Sequence, residues 1–387
     1  MIDFTLSPEQ LQLRETAARL AADVYGPKAM EWDGANTPLP DYERKRLAGL
    51  GFLGMGLPEE YGGGSAGLID SLIVIEELAK RCQVAAFQVF EANTGASRVI
   101  ELYGSEEQKI RYLPPVIAGE KTIAVAMSEP DAGSAATDMS TIAVPDRDGY
   151  VINGVKRWCS GAGHAEQYLT YVRFGDIKGS RGIGAVVIDR EETGLTFGPP
   201  ERLMGFRGIP SADIFFNDVR VSEESVIIPA GGFKQLFTAF SIERLGNSTM
   251  SLAIGQACLD RTARYVQERR QFGKELVEFQ LVQAAIADMV MRVEAARLLV
   301  YRAAARAGRA APDPLEASIA KCFANEMAKS VSETAIQLHG GNGYSVEYEL
   351  ERYHRDALGW SLGGGTTNMQ RLRIASEYLG RRFDQRS

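Results

Sequence analysis

The C-terminal part of the chain contains three long segments with helical periodicity, and these segments constrain the fold more than any other feature. They are Ser241–Arg270, Phe279–Gly308 and Pro314–Leu338. Gly308 and Pro312 separate the second segment from the third, because glycine stops a helix and proline cannot continue one. Long amphipathic helices with short loops are typical of an antiparallel bundle. With a further helix expected at Glu377–Phe383, the sequence predicts a C-terminal four-helix bundle.

The N-terminal part, from residue 7 to about residue 125, is also predicted to be helical. Ser7 before Pro8 and Ser105 before Glu106 are typical of capped helix starts. The glycine-rich segment Glu59–Gly64 is expected to interrupt this part as a loop.

Between the two helical parts, short segments rich in β-branched and aromatic residues alternate with turn residues. They are Thr122–Met127, Gly149–Asn153, Tyr168–Arg173, Ile183–Asp189 and Ala212–Asn217. An antiparallel barrel or sandwich buries strands with this spacing. The sequence therefore predicts an α+β fold with an N-terminal helical domain at residues 1–121, a middle β-domain at 122–232 and the helical bundle at 233–387.

Composition and charge argue against several classes of function. Of 387 residues, 45% are hydrophobic and 24% charged, which is ordinary for a soluble protein. The net charge of −7 argues against nucleic acid or an anionic membrane as the main partner. Residues 1–5 lack the pattern of a signal peptide, and no apolar run is long enough to span a bilayer. Four scattered cysteines without metal-ligand spacing indicate a reduced, cytoplasmic protein with no metal site.

A polar loop is expected after the first strand, at Met127-Ser-Glu-Pro-Asp-Ala-Gly-Ser134. Pro130 and Asp131 favour a turn, and Gly133 adds backbone freedom. The pattern alone is consistent with an ordinary surface turn. The loop also offers two hydroxyl groups and free amides, which a planar heterocycle with carbonyl and ring-nitrogen acceptors requires.

Two further segments allow both a structural and a functional interpretation. Asn153-Gly-Val-Lys-Arg-Trp-Cys-Ser160 places Trp158 on a strand, where a tryptophan is usually a core residue. Glu268-Arg-Arg-Gln-Phe-Gly273 ends a long helix with basic residues and a glycine, as a simple helix stop does. Its paired arginines also suit a diphosphate, because a guanidinium can bond two oxygens at once.

The C-terminal quarter contains a glycine-rich helix end, Gln337-x-x-Gly340-Gly341-x-Gly343. Most such segments are simple helix stops. Here it is followed by Arg352-x-x-Arg-Asp356 and then by Thr366-x-Asn368.

In this order, the motifs resemble those of the acyl-CoA dehydrogenase family, and the resemblance covers the whole chain. It implies FAD as the cofactor. By position, the implied cofactor-binding residues are Met127, Ser128, Gly133, Ser134, Trp158, Ser160, Arg269, Gln271, Phe272, Gln337, Gly340, Gly341, Thr366 and Asn368. The resemblance also places Ser134 beside the phosphopantetheine of a thioester substrate, and Asn368 is a shortened form of the family's glutamine.

The resemblance implies partners as well. The substrate is an acyl-CoA, or an acyl-carrier-protein thioester that shares its phosphopantetheine, and an electron-transfer flavoprotein accepts the electrons. Because the family binds FAD across a subunit boundary, a homo-oligomer is expected, with a tetramer as its state.

One family feature is missing. Many members place a catalytic glutamate before a Gly-Thr pair, where this chain has Gly364-Gly365-Thr366. A second family position for the base lies in a Glu-Arg-Leu sequence, which this chain contains at Glu243. The resemblance therefore implies Glu243 as the base that removes the substrate's α-proton. A first-turn acidic residue that only favours the helix dipole is the structural alternative.

Four other residues are candidates for substrate contact. Arg244 is a cation that can tune Glu243 or support the acyl or phosphate group. Glu91 occupies a position that lines the acyl pocket in relatives, where it can serve a polar acyl tail, act as the base, or only hydrogen-bond within the helical domain. Gly364 and Gly365 leave room beside the α-carbon, which predicts a branched or bulky acyl group.

Alternative reactions on the same fold remain open. Relatives without the usual glutamate include enoyl-CoA reductases and an acyl-CoA desulfinase. The desulfinase carries a sulfinate-binding arginine near the position of 85–88, where this chain has none, and lacks an acidic residue at the position of Glu243. Oxidation therefore ranks above desulfination. A non-catalytic FAD-binding partner subunit is the third alternative.

Overall fold

A computed structural model of the chain describes residues 5–381 and residue 383. Residues 1–4, part of the segment that argued against a signal peptide, and Arg382, in the predicted last helix, lie outside the described residues. The N-terminal helices are α1 Pro8–Leu20, α2 Gly26–Ala35, α3 Asp41–Gly49, α4 Leu68–Ala79, α5 Gln83–Thr94, α6 Ala96–Tyr103 and α7 Glu106–Ile117. The predicted caps are confirmed, since the hydroxyls of Ser7 and Ser105 accept backbone N–H groups of α1 and α7.

The middle of the chain forms a mixed β-sheet. Its strands are β1 Ile123–Ala126, β2 Ile142–Asp146, β3 Gly149–Ser160, β4 Gln167–Phe174, β5 Ile183–Asp189, β6 Leu195–Phe197, β7 Ser211–Ser222 and β8 Val226–Ile228. Their spatial order is β6-β7-β3-β2-β4-β5-β8, and β1 pairs with β4. The expectation of purely antiparallel pairing is wrong at two places, because β4 pairs in parallel with both β1 and β2. Local sequence does not determine which distant strand becomes a neighbour.

The C-terminal part is helical again. It contains α8 Phe233–Glu268, a small hairpin of β9 Arg270–Gln271 and β10 Lys274–Glu275, α9 Gln280–Ala307, α10 Pro314–His339, α11 Leu350–Leu362 and α12 Thr367–Tyr378. The helical–β–helical order of the prediction is confirmed. Helix α8 begins at Phe233, where the helical bundle was predicted to start. Two details were wrong: α11 was missed, and the last described helix is Thr367–Tyr378, capped by Thr366, instead of Glu377–Phe383.

The three parts meet around α5 and α8. One face of the sheet, including Leu169 and Tyr171, joins the apolar core of the helices, and the other face has a core of its own. Helix α5 packs closely on α8, since a Cβ at Gly246 would lie 2.7 Å from ring carbon Cδ2 of Phe90. Phe90 in turn packs edge-on against Trp360 of α11, with ring centroids 5.5 Å apart. These contacts bring the beginning of α8 beside the end of α11.

None of the helices in the described part of the chain is both long enough and apolar enough to cross a membrane.

Candidate active site

The segment between α11 and α12 is a tight turn that depends on glycine. Gly364 and Gly365 have φ of +68° and +85°, which is the left-handed region that side chains other than glycine's rarely adopt. Thr366 then caps α12 through its hydroxyl, which accepts the N–H of Met369 at 3.2 Å. Gln370 closes the turn by donating from Nε2 to the carbonyl oxygen of Gly365 at 2.9 Å.

The carboxylate of Glu243 lies directly against this turn. A Cβ built on Gly364 would be 2.8 Å from Oε2 and 3.0 Å from Oε1 of Glu243. At Gly365, a Cβ would be 3.0 Å from Nε2 of Gln370. The space above both glycines is therefore filled by side chains of this chain. The side chains of Glu243 and Gln370 occupy the space that was expected beside the substrate's α-carbon. The two glycines therefore give no reason to predict a branched or bulky acyl group.

Several buried polar atoms around the turn have no hydrogen-bond partner among the described residues. They are Oε2 of Glu243, Nε and Nη1 of Arg244, Oε1 of Gln370 and Nε of Arg373. A buried polar atom without a partner costs about 1–3 kcal/mol. Because such atoms are rare and these come from two helices that meet at one turn, they mark a place that a polar ligand can complete.

A buried polar network supports the turn from below. Asn247 donates from Nδ2 toward the carbonyl oxygens of Trp360 and Gly363, at 3.3 and 3.4 Å. Lys321, which is fully buried, donates to the same Trp360 oxygen at 3.3 Å. Asn325 connects them, donating to the side-chain oxygen of Asn247 at 3.1 Å. This network holds the end of α11 and thereby places Gly364 against Glu243.

The site's electrostatics make Glu243 a stronger base than an exposed glutamate. Burial raises the pKa of Glu243, and the charges of Lys321 and Arg244 oppose the rise. Burial in turn lowers the pKa of Lys321 to about 8, while the charge of Glu243 opposes that fall. A desolvated carboxylate with a raised pKa beside buried cations is an arrangement suited to removing a proton from a substrate.

Two of the sequence motifs come together at the end of β1. The backbone N–H of Arg157 donates to the carbonyl oxygen of Ser128 at 2.8 Å, and Lys156 Nζ donates to that of Met127 at 3.0 Å. The predicted turn at Pro130 and Asp131 is confirmed, because Glu129 and Ala132 pair across it. Beyond the turn, Gly133 and Ser134 are exposed.

Trp158 is not a core residue. It is 52% exposed and has φ of +60°, at a register shift between β3 and β7. The guanidinium carbon of Arg157 lies 4.4 Å from the centre of its ring. Non-glycine residues in this conformation are strained and concentrate at functional sites. The strand therefore presents a flat aromatic surface, with half-buried Ser160 two residues further on.

A buried ion pair holds this loop in place, and the sequence reasoning missed it. The carboxylate of Glu129 accepts from Lys156 Nζ at 2.8 Å and from the backbone N–H groups of Ser140 and Thr141. Burial alone would raise the pKa of Glu129, but Lys156 and the hydrogen bonds lower it to about 2. Both residues are at most 5% exposed.

We expect Glu129→Gln to lower the free energy of unfolding by about 3–5 kcal/mol, because it leaves Lys156 buried without its counter-charge. Chemical denaturation at neutral pH measures this. In the parent protein, the contribution of Glu129 is present above the ordinary carboxyl pKa and is lost as the pH falls toward about 2. Asp146→Asn, which breaks the exposed pair with Arg220, is the control and should change stability by less than about 1 kcal/mol. Equal effects of the two variants would contradict this interpretation.

A second group of predicted residues lies at the other end of the bundle. The ring of Tyr265 stacks on His339 with centroids 4.0 Å apart, which brings the ends of α8 and α10 together. This group consists of Arg269, Gln271, Phe272, Gln337, Gly340 and Gly341, all exposed. Tyr265 is 22 residues beyond Glu243 on α8, or about 33 Å along the helix axis. Within one chain, these residues are separate from the turn at Gly364.

Glu91 lies apart from Glu243, at the junction of α5 with the sheet. It lines a small cavity together with Arg44, Gln88 and Thr122. Burial raises the pKa of Glu91 to about 8. Asn368, in the first turn of α12, is exposed and accepts from Arg371.

Sequence reasoning did not find Lys321, Asn247, Asn325, Gln370 or Arg373. A signal existed for Lys321, which interrupts the apolar run Ala-Ser-Ile-Ala-Lys-Cys-Phe-Ala within a predicted helix. A lysine on a core face is rare unless it is paired. The others are ordinary polar residues whose partners come from distant helices.

Models of three consecutive family domains match this chain. They are the acyl-CoA dehydrogenase N-terminal domain at residues 7–120, the middle domain at 124–219 and the C-terminal domain at 230–379. The chain therefore belongs to the acyl-CoA dehydrogenase family.

Individual relatives span almost the whole chain. The 3-sulfinopropanoyl-CoA desulfinase of Cupriavidus necator is 37% identical over 99% of this chain and 98% of its own length. Subunit CarC of the caffeyl-CoA reductase-Etf complex of Acetobacterium woodii is 36% identical over 86% of this chain and 88% of its own. The family thus includes members named for different reactions on CoA thioesters.

Solved structures show the same architecture. Butyryl-CoA dehydrogenase from Megasphaera elsdenii superimposes with a TM-score of 0.94 at 32% identity, covering 98% of this chain and 100% of its own. The FAD complex of PigA superimposes with a TM-score of 0.92 at 28% identity, covering 98% and 99%.

Proposed function

We propose that this protein is an FAD-dependent acyl-CoA dehydrogenase in which Glu243 removes the α-proton of the acyl thioester. The observation that carries the proposal is the position of the Glu243 carboxylate against Gly364, where many family members have their catalytic glutamate. The proposal assigns the chain to the subgroup that places its base on α8, in a Glu-Arg-Leu sequence. When bound, FAD supplies the acceptor for the β-hydride.

The residues at the end of β1 suit a planar cofactor. Trp158 presents an exposed ring, Ser160 follows it on β3, and the backbone of Ser128 bonds to that of neighbouring Arg157. The amides after the Glu129 turn are open, since a Cβ at Gly133 would meet no described heavy atom within 4 Å. A flat apolar surface with hydroxyl and amide donors at its edge matches the isoalloxazine's carbonyl and ring-nitrogen acceptors.

The residues around the Gly364 turn have separate roles in the proposed reaction. The turn at Gly364 holds Glu243 beside the place where an α-carbon must lie, and Lys321 with Arg244 stabilises the carboxylate before it takes the proton. In the reverse direction, the protonated Glu243 donates. The same site can therefore serve a reductase, as in the relative named caffeyl-CoA reductase, which is the second candidate function.

Desulfination has support from relatives at 37% identity, but the geometry favours proton removal. The acidic residue at Glu243 lies in the position of a base, and α5 offers no arginine between Ala85 and Gln88. We therefore keep oxidation or its reverse as the proposed reaction.

We further propose a homo-oligomer, with a tetramer as its state, in which FAD spans two subunits. Arg269 and Gly340 follow the ends of α8 and α10, where Tyr265 stacks on His339, and Tyr265 is about 33 Å along α8 from Glu243 at the Gly364 turn. We therefore propose that a second subunit supplies one of the two groups to each cofactor. Phe272 is 94% exposed, and α9 leaves Leu281 87% and Met291 61% exposed, as expected for a surface that another subunit covers. An electron-transfer flavoprotein is the proposed electron acceptor, and the relative named as part of a reductase-Etf complex supports it.

Anaerobic titration of the purified protein with a panel of acyl thioesters tests the function. The panel includes straight, branched, aromatic and dicarboxylic acyl-CoAs and one acyl-carrier-protein thioester. We expect at least one to bleach the visible flavin absorbance and to give the 2-enoyl product by mass analysis. A protein that contains FAD but is bleached by none would support the non-catalytic subunit instead.

A further inference from the structure

The loop between β6 and β7, at residues 198–210, contains a strained phenylalanine. Phe206 has φ of +56°, in the left-handed region that a bulky side chain rarely adopts. Its backbone N–H donates to Oδ1 of the buried Asp356, on α11, at 2.7 Å. Residues in such conformations persist only where the surrounding structure holds them, and they concentrate at functional sites. Contacts with α11 therefore maintain the conformation of Phe206.

The ring of Phe206 packs on the last turns of α11. Its centroid lies 4.7 Å from that of Trp360, and a Cβ built on neighbouring Gly359 would lie 2.6 Å from its Cζ. Trp360 is 4% exposed, and its indole N–H donates to Oε1 of Gln83 at 3.0 Å. The ring thus lies directly on the backbone of α11, where only a glycine leaves it room.

Trp360 connects this contact to the proposed base. Its carbonyl oxygen accepts from Lys321 and Asn247, each at 3.3 Å. Gly364, against which the Glu243 carboxylate lies, follows one helical turn later. Because a packed interior transmits a displacement instead of absorbing it, a shift of Trp360 would move the turn.

The two ends of the same loop are attached to the strand that carries Trp158. Near the start of the loop, Oε1 of Glu201 lies 3.3 Å from Nη2 of Arg157, the residue before Trp158. At its end, the carbonyl oxygen of Pro210 accepts the N–H of Gly161 at 2.7 Å. The loop therefore joins the part of β3 that is proposed to contact the flavin to the helix that leads into the Gly364 turn.

From these contacts, and resting on the proposed function, we infer that Phe206 is a positioning residue for the dehydrogenation. It acts through Trp360, and it fixes the Gly364 turn, and with it the Glu243 carboxylate, relative to the strand of Trp158. Removal of the α-proton and transfer of the β-hydride require the base and the flavin to be aligned on one substrate. The contact between Phe206 and α11 maintains that alignment across the boundary between the β-domain and the bundle.

The kinetic test compares Phe206→Ala with the parent protein, using butyryl-CoA, isovaleryl-CoA and glutaryl-CoA with an artificial electron acceptor. We expect kcat to fall by about 10- to 100-fold, because a base displaced by about 1 Å loses that much in rate. Since the ring is proposed to act on alignment and not on substrate affinity, kcat and kcat/KM should fall together and flavin content should be retained.

Hydrogen exchange measured by mass spectrometry provides a second readout, which needs no substrate. We expect the amides of residues 363–370 to exchange roughly 10-fold faster in Phe206→Ala, because the turn loses the packing that holds it. Phe206→Leu keeps an apolar side chain and should recover part of both effects. Phe215→Ala removes a phenylalanine of β7 that is 39% exposed, and as the matched control it should change neither kcat nor the exchange at the turn.

Gly359→Ala tests the same contact from the side of α11. Its Cβ would meet the ring of Phe206, so the variant should lower kcat and loosen the turn. Added to Phe206→Ala, it should have no further effect, because the ring that it meets is absent. If Phe206→Ala folds poorly, Gly359→Ala decides by the same two readouts.

The inference would be overturned by unchanged exchange at residues 363–370 in both Phe206→Ala and Gly359→Ala. Faster exchange without a loss of kcat, or equal effects of Phe215→Ala, would overturn it as well. If the parent protein oxidises none of the three thioesters, the proposed function fails for these substrates, and the exchange measurement alone decides whether Phe206 positions the turn.

Discussion

Glu243→Gln is expected to lower kcat/KM for dehydrogenation by about 10²–10⁴-fold, the usual contribution of a general base. The amide has the same shape as the carboxyl group but cannot accept the α-proton. Flavin content and thioester affinity should stay close to those of the parent protein, because the backbone turn at Gly364 does not require the charge. Steady-state kinetics with an artificial electron acceptor measure the loss.

Glu91→Gln tests the competing assignment, because Glu91 is the other partly buried glutamate for which a role as base was considered. We expect a smaller loss there, mainly in KM, since Glu91 lies in a separate cavity beside α5. Glu223→Gln, in the exposed segment after β7, serves as the neutral control. A large kcat loss with Glu91→Gln and none with Glu243→Gln would move the base to α5.

Titration of Glu243 should also produce the acid limb of the pH profile of kcat/KM. Only ionised Glu243 can take a proton, so kcat/KM should rise with pH through the pKa of this group in the free enzyme. Burial raises that pKa above its ordinary value of 4.5, although Lys321 and Arg244 oppose the rise. The acid limb should therefore lie above pH 4.5 and disappear in Glu243→Gln.

Gly364→Ala is expected to have the second large effect, a loss of about 10²-fold in kcat together with reduced stability. The new Cβ would lie 2.8 Å from Oε2 of Glu243, so the carboxylate must move, and a displacement of about 1 Å can cost that much in rate. The φ of +68° adds roughly 1–2 kcal/mol of backbone strain. Kinetics and chemical denaturation measure the two effects separately.

A double-mutant cycle of Gly364→Ala and Glu243→Gly separates the contact between these two residues from the backbone strain at residue 364. In Glu243→Gly the space above residue 364 is empty, so adding Gly364→Ala should cost only the backbone strain. Gly363→Ala is the control within the same turn, because Gly363 has φ of −64° and its Cβ would meet the Gly359 oxygen at an ordinary 3.7 Å. If Gly364→Ala were as well tolerated as Gly363→Ala, Glu243 would not lie against the turn.

Local features were the most predictable part of the fold. The caps at Ser7 and Ser105 and the turn at Pro130 involve residues within four positions of one another, so their chemistry is visible in the sequence. Helix α11 was missed because its sequence, Leu-Glu-Arg-Tyr-His-Arg-Asp-Ala, mixes charged and apolar residues. Several of those charges are buried in pairs with other elements, such as Arg355 with Asp33.

The candidate site, too, combines features that are visible in the sequence with contacts between elements that are distant in sequence. From residue types and spacing, the sequence determined the order of helical and β parts. Its resemblance to the family added the motifs and gave a meaning to the absence of a glutamate at 364. Only the tertiary structure decided that the carboxylate of Glu243 lies against Gly364, and that Lys321 and Asn247 bond to the end of α11 that leads into this turn. These contacts join helices distant in sequence, and their geometry follows from how α5, α8 and α11 pack, which no local pattern specifies.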